Sequence, residues 1–296
     1  MDSKNKHVGA ILSALLAAAL YAINIPLSKL LLSSVGAVFM AAFLYLGAGI
    51  GMLIMSAASK SLRGEARLTK KELPYTIGMI VLDIAAPICL MLGLNLANSA
   101  NASLLNNFEI VATSLIAMLA FKERISLKMW LAIGLITLSS ALLSFEGNGA
   151  LSFSPGSLLI LLACVCWGFE NNCTRMMSEK SAAEIVILKG IFSGLGSFIV
   201  ALISGEKLPD AMSIVYALLL GFVAYGLSIF FYVRAQRYIG AAKTSAYYAV
   251  SPFIGAILSL VLMNERLADS YFYALAVMIA GATLAVLDTL APSKRD

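Results

Sequence analysis

The sequence predicts an all-α integral membrane protein whose ten transmembrane helices form two inverted five-helix repeats. Three observations carry this: the composition is too apolar for a water-soluble surface, the apolar residues fall into ten runs of membrane-crossing length, and motifs of the first half recur in the second. Hydrophobic residues make up 60% of the 296 and charged residues 12%, with a mean hydropathy of +0.91. An ordinary soluble domain carries about 25% charged residues. This chain therefore lacks the polar surface needed to cover a folded exterior in water.

The apolar runs lie at roughly 8–31, 34–57, 74–96, 99–120, 126–145, 157–176, 181–203, 210–235, 241–263 and 269–290. Each approaches the ~20 residues that a helix needs to cross a ~30 Å hydrocarbon layer. Lys4 and Lys6 lead straight into the first run, with no cleavable signal ahead of it. Basic flanks are retained on the cytoplasmic side. With the N-terminus placed there, all but four of the 21 lysines and arginines fall on that side; Lys29, Lys207 and Arg266 lie opposite and Lys189 lies within a run. Both termini are thus expected in the cytoplasm, with the chain a multi-pass component of the cell membrane. Five spans per half is an odd number, so the second copy enters the bilayer from the opposite side. The repeats 1–146 and 147–296 are then related by a pseudo-two-fold axis in the membrane plane. The net charge of +5 is this flanking bias, and no nucleic-acid partner is expected.

An ionised side chain at the centre of a membrane helix costs about 2.5–3.5 kcal/mol on insertion scales, so each such group should line water or find a partner. Four lie deep: Asp83, Glu109, Glu170 and Lys189. Taken in chain order, the first run carries Tyr21-Ala22-Ile23-Asn24 with Ser28-Lys29, matched in the sixth by Trp167-Gly168-Phe169-Glu170 with Thr174-Arg175. The second carries Gly47, Gly49 and Gly51, matched in the seventh by Gly190, Gly194 and Gly196. These are smooth surfaces on which backbones pack closely or slide. In the third, Asp83 and Pro87 share a face, and Asp83 aligns with Tyr225 of the eighth. Proline removes a helical hydrogen bond, which makes Pro87 a candidate hinge.

The fourth run holds Ser103, Asn106, Glu109 and Thr113 on one polar stripe, which must face the bundle or a water-filled path. Its mate in the ninth is Tyr248, Ser251 and Gly255, with Pro252 beside them. Only one half of each pair holds the charge. The segment from Ala102-Ser103 through Lys122-Glu123-Arg124-Ile125 recurs as Thr244-Ser245 through Asn264-Glu265-Arg266-Leu267. These endings read as helix-end anchors or contacts between halves. The fifth and tenth runs close the two repeats.

Glu170 lies a turn after Trp167 and a turn before Thr174, so aromatic, acidic and hydroxyl groups share one face. Such a carboxylate is suited to exchanging a proton for a substrate ammonium, and Glu170 is the proton-coupling candidate; a structural ion pair is the plainer reading. Two readings of Lys189 stay open. It pairs with Glu170 and neutralises it, or it binds a substrate carboxylate and forms with Glu170 a receptor for a zwitterion. Tyr21, Trp167, Tyr225, Tyr247 and Tyr248 offer ring faces to a cation, worth ~0.5–2 kcal/mol, although packing is the commoner role of such rings. Cys89, Cys164, Cys166 and Cys173 fall within runs and act as small apolar residues, so no metal is expected. The one histidine, His7, lies in the N-terminal tail. No phosphate-loop signature, buried His cluster or Gly-x-Ser-x-Gly elbow is present, and neither an enzyme activity nor a cofactor is expected.

Ten spans in two five-helix halves, Trp167-Gly168 late in the first helix of the second half, and the Glu-Arg pair closing the fourth helix of each half resemble the EamA-type branch of the drug/metabolite transporter superfamily. The resemblance covers essentially the whole chain. It implies a secondary transporter, proton-linked or facilitative, for amino acids, organic amines or similar metabolites, with a central cavity between the two bundles. The small multidrug resistance proteins, which look like distant four-helix relatives, use a first-helix glutamate much as Glu170 would be used here; the aligned residue in the first half is Asn24.

The expectation is a secondary-active transporter, by family tendency an exporter, that moves a small organic metabolite by alternating access. Its cavity is expected from the first, third, fourth, sixth, eighth and ninth helices, with Tyr21, Asn24, Asp83, Asn106, Glu109, Trp167, Glu170, Thr174, Lys189, Tyr225 and Tyr248 as substrate-binding candidates. The acidic excess favours an ammonium-bearing solute. An uptake carrier for a quaternary ammonium compound or other organic cation is the alternative, and a non-transporting receptor or assembly subunit is the alternative of another class. A monomer in the lipid bilayer is expected, because the second repeat supplies what a partner would.

Overall fold

In hydrocarbon every backbone N–H and C=O must be satisfied within the protein, and among the described residues every regular element is a helix. The computed structural model describes residues 3–59, 65–121, 125–144, 154–239, 244, 247–263, 267 and 269–290. The Lys122-Glu123-Arg124 and Asn264-Glu265-Arg266 endings, the junction near 146 and the side chain of His7 lie outside the described residues.

The first repeat comprises α1 (Ser3–Ala22, resuming as Asn24–Leu31), α2 (Ala37–Ala58), α3 (Leu73–Leu96), α4 (Ser99–Leu105, resuming as Phe108–Phe121) and α5 (Leu127–Ser144). The second comprises α6 (Pro155–Arg175), α7 (Ala182–Leu188, a π-turn at Lys189–Ser193, then Gly194–Ile203), α8 (Ala211–Gly221, a π-turn at Phe222–Leu227, then Ser228–Ile239), α9 (Ser251–Met263) and α10 (Asp269–Leu290). Among the described residues nine of these are long and apolar enough to cross a membrane, and α9 is a shorter apolar helix. The expected run from 241 begins before it, in a stretch of which 241–243, 245 and 246 lie outside the described set.

The interruptions have local causes. Pro26 has no N–H to offer the Ala22 carbonyl, and α1 breaks at Ile23. In α4 the Asn107 side chain donates to the Leu104 carbonyl at 3.2 Å, competing with the helix, and the chain turns at Asn106–Asn107. Pro252 acts likewise ahead of α9, where Ala249–Val250 form a turn at nearly the aligned place. One half thus breaks its fourth helix with asparagine and the other with proline.

Helix starts are capped by side chains typed for that purpose. Asn98 accepts from the Ala100 and Asn101 amides at α4, Ser181 from Glu184 at α7, and Asp210 from Met212 and Ser213 at α8. Hydrogen bonds from the Ser213 side chain and backbone hold the Asp210 carboxyl below its usual range. A depressed carboxylate pKa contributes stability above the unfolded-state value, about 3.9, that is lost as pH falls through the folded value. Acidification from pH 5 to 3 is therefore expected to speed hydrogen exchange at the Met212 and Ser213 amides, and Asp210→Asn should remove that pH dependence.

The packing is symmetric under exchange of the repeats. α3 runs along α6 as α8 runs along α1, α4 touches α6 as α9 touches α1, and the mates α2/α7, α4/α9 and α5/α10 contact each other directly. The contact of α2 with α7 is close enough to need glycine on both sides. A methyl group placed on Gly190 would lie 2.3 Å from the Gly49 backbone nitrogen, so only two glycines let these helices cross at this distance.

Polar ties close the two ends. On the face holding the termini, Arg237 pairs with Glu65 at 2.8 Å and donates to the Lys180 carbonyl at 2.7 Å, while Glu184 accepts from the Leu68 amide at 2.9 Å. These contacts join the α2–α3 connection to the second repeat. On the opposite face Glu206, in the α7–α8 connection, accepts from the Val38 and Phe39 amides at 3.0 and 2.9 Å and caps α2. Lys29 there donates to the Leu94 and Ala97 carbonyls at the end of α3.

Candidate functional site

Three of the four deep charges, Asp83, Glu170 and Lys189, meet in one cluster. Lys189 stands at the start of the α7 π-turn, where the wider turn displaces the helix register, a feature frequent at functional sites. Its Nζ lies 2.9 Å from Glu170 Oε1 and 3.1 Å from Asp83 Oδ2. All three side chains are buried, with relative exposures of 4%, 2% and 0% for Lys189, Glu170 and Asp83. Tyr45 of α2 donates to Asp83 Oδ1 at 2.7 Å, and Thr174 donates to Glu170 Oε1. Lys189 thus bridges the carboxylates of α3 and α6, and with all three groups ionised the cluster keeps one net negative charge. Lys189 reaches Glu170, one of the two sequence-based readings, and Asp83 joins the pair, a contact the sequence did not suggest.

The aligned positions, Asn24 in the first half and Tyr225 in the second, form a neutral version of the same arrangement. Asn24, the mate of Glu170, accepts from Ser28 at 3.0 Å, as Glu170 accepts from Thr174. Asn24 Nδ2 in turn donates to the hydroxyl of Tyr225, the mate of Asp83, at 3.3 Å. The crossing of α3 with α6 is held with ions and that of α1 with α8 with hydrogen bonds.

Beside the cluster opens a small, half-open cavity. Its walls are Tyr21 of α1, Tyr45 of α2, Glu109 of α4, Trp167, Glu170, Asn171 and Thr174 of α6, Lys189 of α7, Tyr225, Ile229, Tyr232 and Val233 of α8, and Tyr248 ahead of α9. The linings of α6 and α8 run toward the ends of those helices on the face that holds the termini, so the cavity lies in that half of the bundle. Gly168 lets α6 approach α4: a methyl group there would lie 2.9 Å from the Ala112 carbonyl carbon and the Thr113 nitrogen. At this crossing Asn171 donates to Glu109 Oε1 at 2.6 Å and to Thr113 Oγ1 at 3.3 Å, and Asn172 donates to the Thr113 carbonyl at 3.3 Å.

Of the sequence-derived candidates, Tyr21, Glu109, Trp167, Glu170, Thr174, Lys189, Tyr225 and Tyr248 line this cavity. Asn24, Asp83 and Asn106 do not. Asn24 and Asp83 stand behind the wall as partners of Tyr225 and Lys189, and Asn106 turns toward Cys164 because the α4 break takes it off the Glu109 stripe. α3 therefore stays out of the lining, and α2 and α7 enter it. Tyr45, Asn171 and Tyr232 are additional lining residues. Asn171 had a signal in its adjacency to Glu170, whereas Tyr45 sits inside a plain apolar run. Among the described residues no group of His, Cys, Asp and Glu is placed to hold a metal ion.

A match to the EamA-like transporter family covers residues 8–145 and again 154–287, one copy in each half of the chain. The chain belongs to that family. It is a multi-pass membrane protein of the transporter class, with a small-molecule substrate implied by the family. Among its relatives, an uncharacterized transporter of Methanothermobacter thermautotrophicus is 27% identical over 86% of this chain and 79% of that protein. The uncharacterized inner membrane transporter YedA of Escherichia coli is 26% identical, with the match spanning 60% of each chain. A solved crystal structure superposes with a TM-score of 0.70 over 97% of this chain and 99% of its own, at 16% identity, and so shares the fold. The Trp167-Gly168 pair and the doubled halves that suggested this family thereby lie within the matched residues.

Proposed function

We propose that this EamA-family protein is a secondary-active transporter that moves a small organic metabolite with a cationic centre, an amino acid or amine, by alternating access. The observation that carries this reading is the cavity between the repeats, whose walls and backing hold three carboxylates, Asp83, Glu109 and Glu170, against the single ammonium of Lys189. Uncompensated negative charge in a low-dielectric site favours a cation or a proton. The inverted halves supply two related arrangements that can exchange, as alternating access requires. With the termini in the cytoplasm of a cell-membrane protein, as the basic flanks favour, the cavity faces inward, and the proposed direction is export. The two glycine-lined helices α2 and α7 cross at the pseudo-axis and are the proposed sliding contact.

Glu170 is the proposed proton-coupling group, because a proton arriving there removes its attraction for Lys189 and leaves the lysine to Asp83. Uptake into proteoliposomes of labelled amino acids and amines, with and without a pH gradient, tests this against Glu170→Gln. The expected result is saturable flux that follows the gradient in the wild type and loses that dependence in the variant. Flux with the same pH dependence in Glu170→Gln would remove the coupling role. Uptake of quaternary ammonium compounds in the same assay distinguishes the alternative carrier, and binding without flux distinguishes a receptor.

A further inference from the structure

Glu109 is the one cavity carboxylate outside the lysine cluster. Its Oε1 accepts from Asn171, and it forms no ion pair with any described lysine or arginine. The same cavity presents a continuous chain of tyrosine rings: Tyr45 to Tyr225 at 5.0 Å between centroids, Tyr225 to Tyr21 at 5.7 Å, Tyr21 to Tyr248 at 5.8 Å and Tyr248 to Tyr232 at 5.0 Å. Hydrogen bonds hold several of these rings in place, through Tyr225 with Asn24 and Tyr248 with Ser228. Among the described residues the lining contains no arginine, and its one lysine is already shared by two carboxylates. A substrate carboxylate has no free cation to meet in this lining, and it would stand near Glu109 and Glu170. An ammonium has both a carboxylate and ring faces, the combination that recognises alkylated ammonium groups.

We infer that Glu109, with Tyr21, Tyr225 and Tyr248, forms the receptor for an organic amine that carries no carboxylate. This rests on the reading of the cavity as a transport site and narrows it from amino acids and amines to amines. The Asn171 bond fixes one Glu109 oxygen, and the substrate ammonium is held at the carboxylate while its alkyl or aryl body lies along the tyrosines. Lys189 stays with Asp83 and Glu170 during binding.

Phenethylamine and phenylalanine share a skeleton and differ by the carboxylate, so binding of each to the full chain in nanodiscs, by calorimetry, isolates the point. Phenethylamine is expected to bind at least tenfold more tightly than phenylalanine. Glu109→Gln keeps an acceptor for Asn171 and is expected to weaken phenethylamine at least tenfold, with Glu109→Asp restoring part of the loss and Tyr248→Leu weakening it about threefold or more. Equal or tighter binding of phenylalanine, unchanged affinity in Glu109→Gln, or no phenethylamine binding at millimolar concentration would each overturn the inference. Flux of phenylalanine in proteoliposomes would then leave the transport reading standing. Tight phenethylamine binding at Glu109 without flux of any solute would instead sink the transport reading and leave the receptor assignment intact.

Discussion

Lys189→Met is expected to destabilise the protein by about 3–5 kcal/mol, the usual cost of removing one partner from a buried ion pair. Methionine fills a similar volume but leaves Asp83 and Glu170 facing each other across the place of the lost ammonium, at 0% and 2% exposure. Asp83, fully buried behind the cavity wall, cannot turn to water from there. The cost comes from stranded charge rather than lost packing, so it should be recovered when the charge is removed. Adding Asp83→Asn and Glu170→Gln to Lys189→Met is expected to restore most of the thermal midpoint, because neutral replacements of buried ion clusters are often close to neutral in stability. Fluorescence-detected thermal unfolding in detergent checks both steps. A Lys189→Met protein as stable as the wild type would mean that the carboxylates carry protons and that no ion cluster exists.

Gly190→Ala is the second large effect. Its added methyl would lie 2.3 Å from the Gly49 nitrogen, 2.5 Å from the Gly49 Cα and 2.7 Å from the Tyr45 carbonyl oxygen. All three are backbone atoms, which cannot swing aside as a side chain does, so α2 and α7 must separate. Overpacking of this kind costs about 1–3 kcal/mol, and here it also shifts Tyr45 and Lys189, which stand beside the crossing. Gly134→Ala is the matched control, since nothing lies within 4 Å of the added methyl there. The expected outcome is a lowered thermal midpoint and reduced transport for Gly190→Ala with neither for Gly134→Ala. Equal behaviour of the two variants would contradict the close crossing.

Much of this architecture was legible because a membrane makes a strict solvent. Backbone satisfaction leaves helices as the regular element, length sets the spans, and recurrence of Tyr21–Ser28 as Trp167–Thr174 exposes the repeat. The ion pair of Lys189 with Glu170 was legible for the same reason, since an isolated charge at that depth is costly. What was not legible follows from register. The π-turns at Lys189–Ser193 and Phe222–Leu227 leave no mark in apolar periodicity, yet they decide which residues of α7 and α8 face the cavity. The break at Asn106–Asn107 likewise uncouples Asn106 from Glu109, a stripe that a continuous helix would have kept. Tyr45 was hidden because a tyrosine among apolar residues gives no sign of the carboxylate it serves; its partner Asp83 sits on another helix.

The central claim is that one charged cavity between inverted halves is exposed alternately to the two sides of the membrane. Counterflow tests it most directly: proteoliposomes loaded with unlabelled amine are diluted into labelled amine, and accumulation of label is followed over time. A carrier that alternates must show a transient overshoot of label that depends on the unlabelled solute inside, and the overshoot should disappear in Glu109→Gln. Label that only equilibrates, at a rate indifferent to the solute inside, would contradict alternating access.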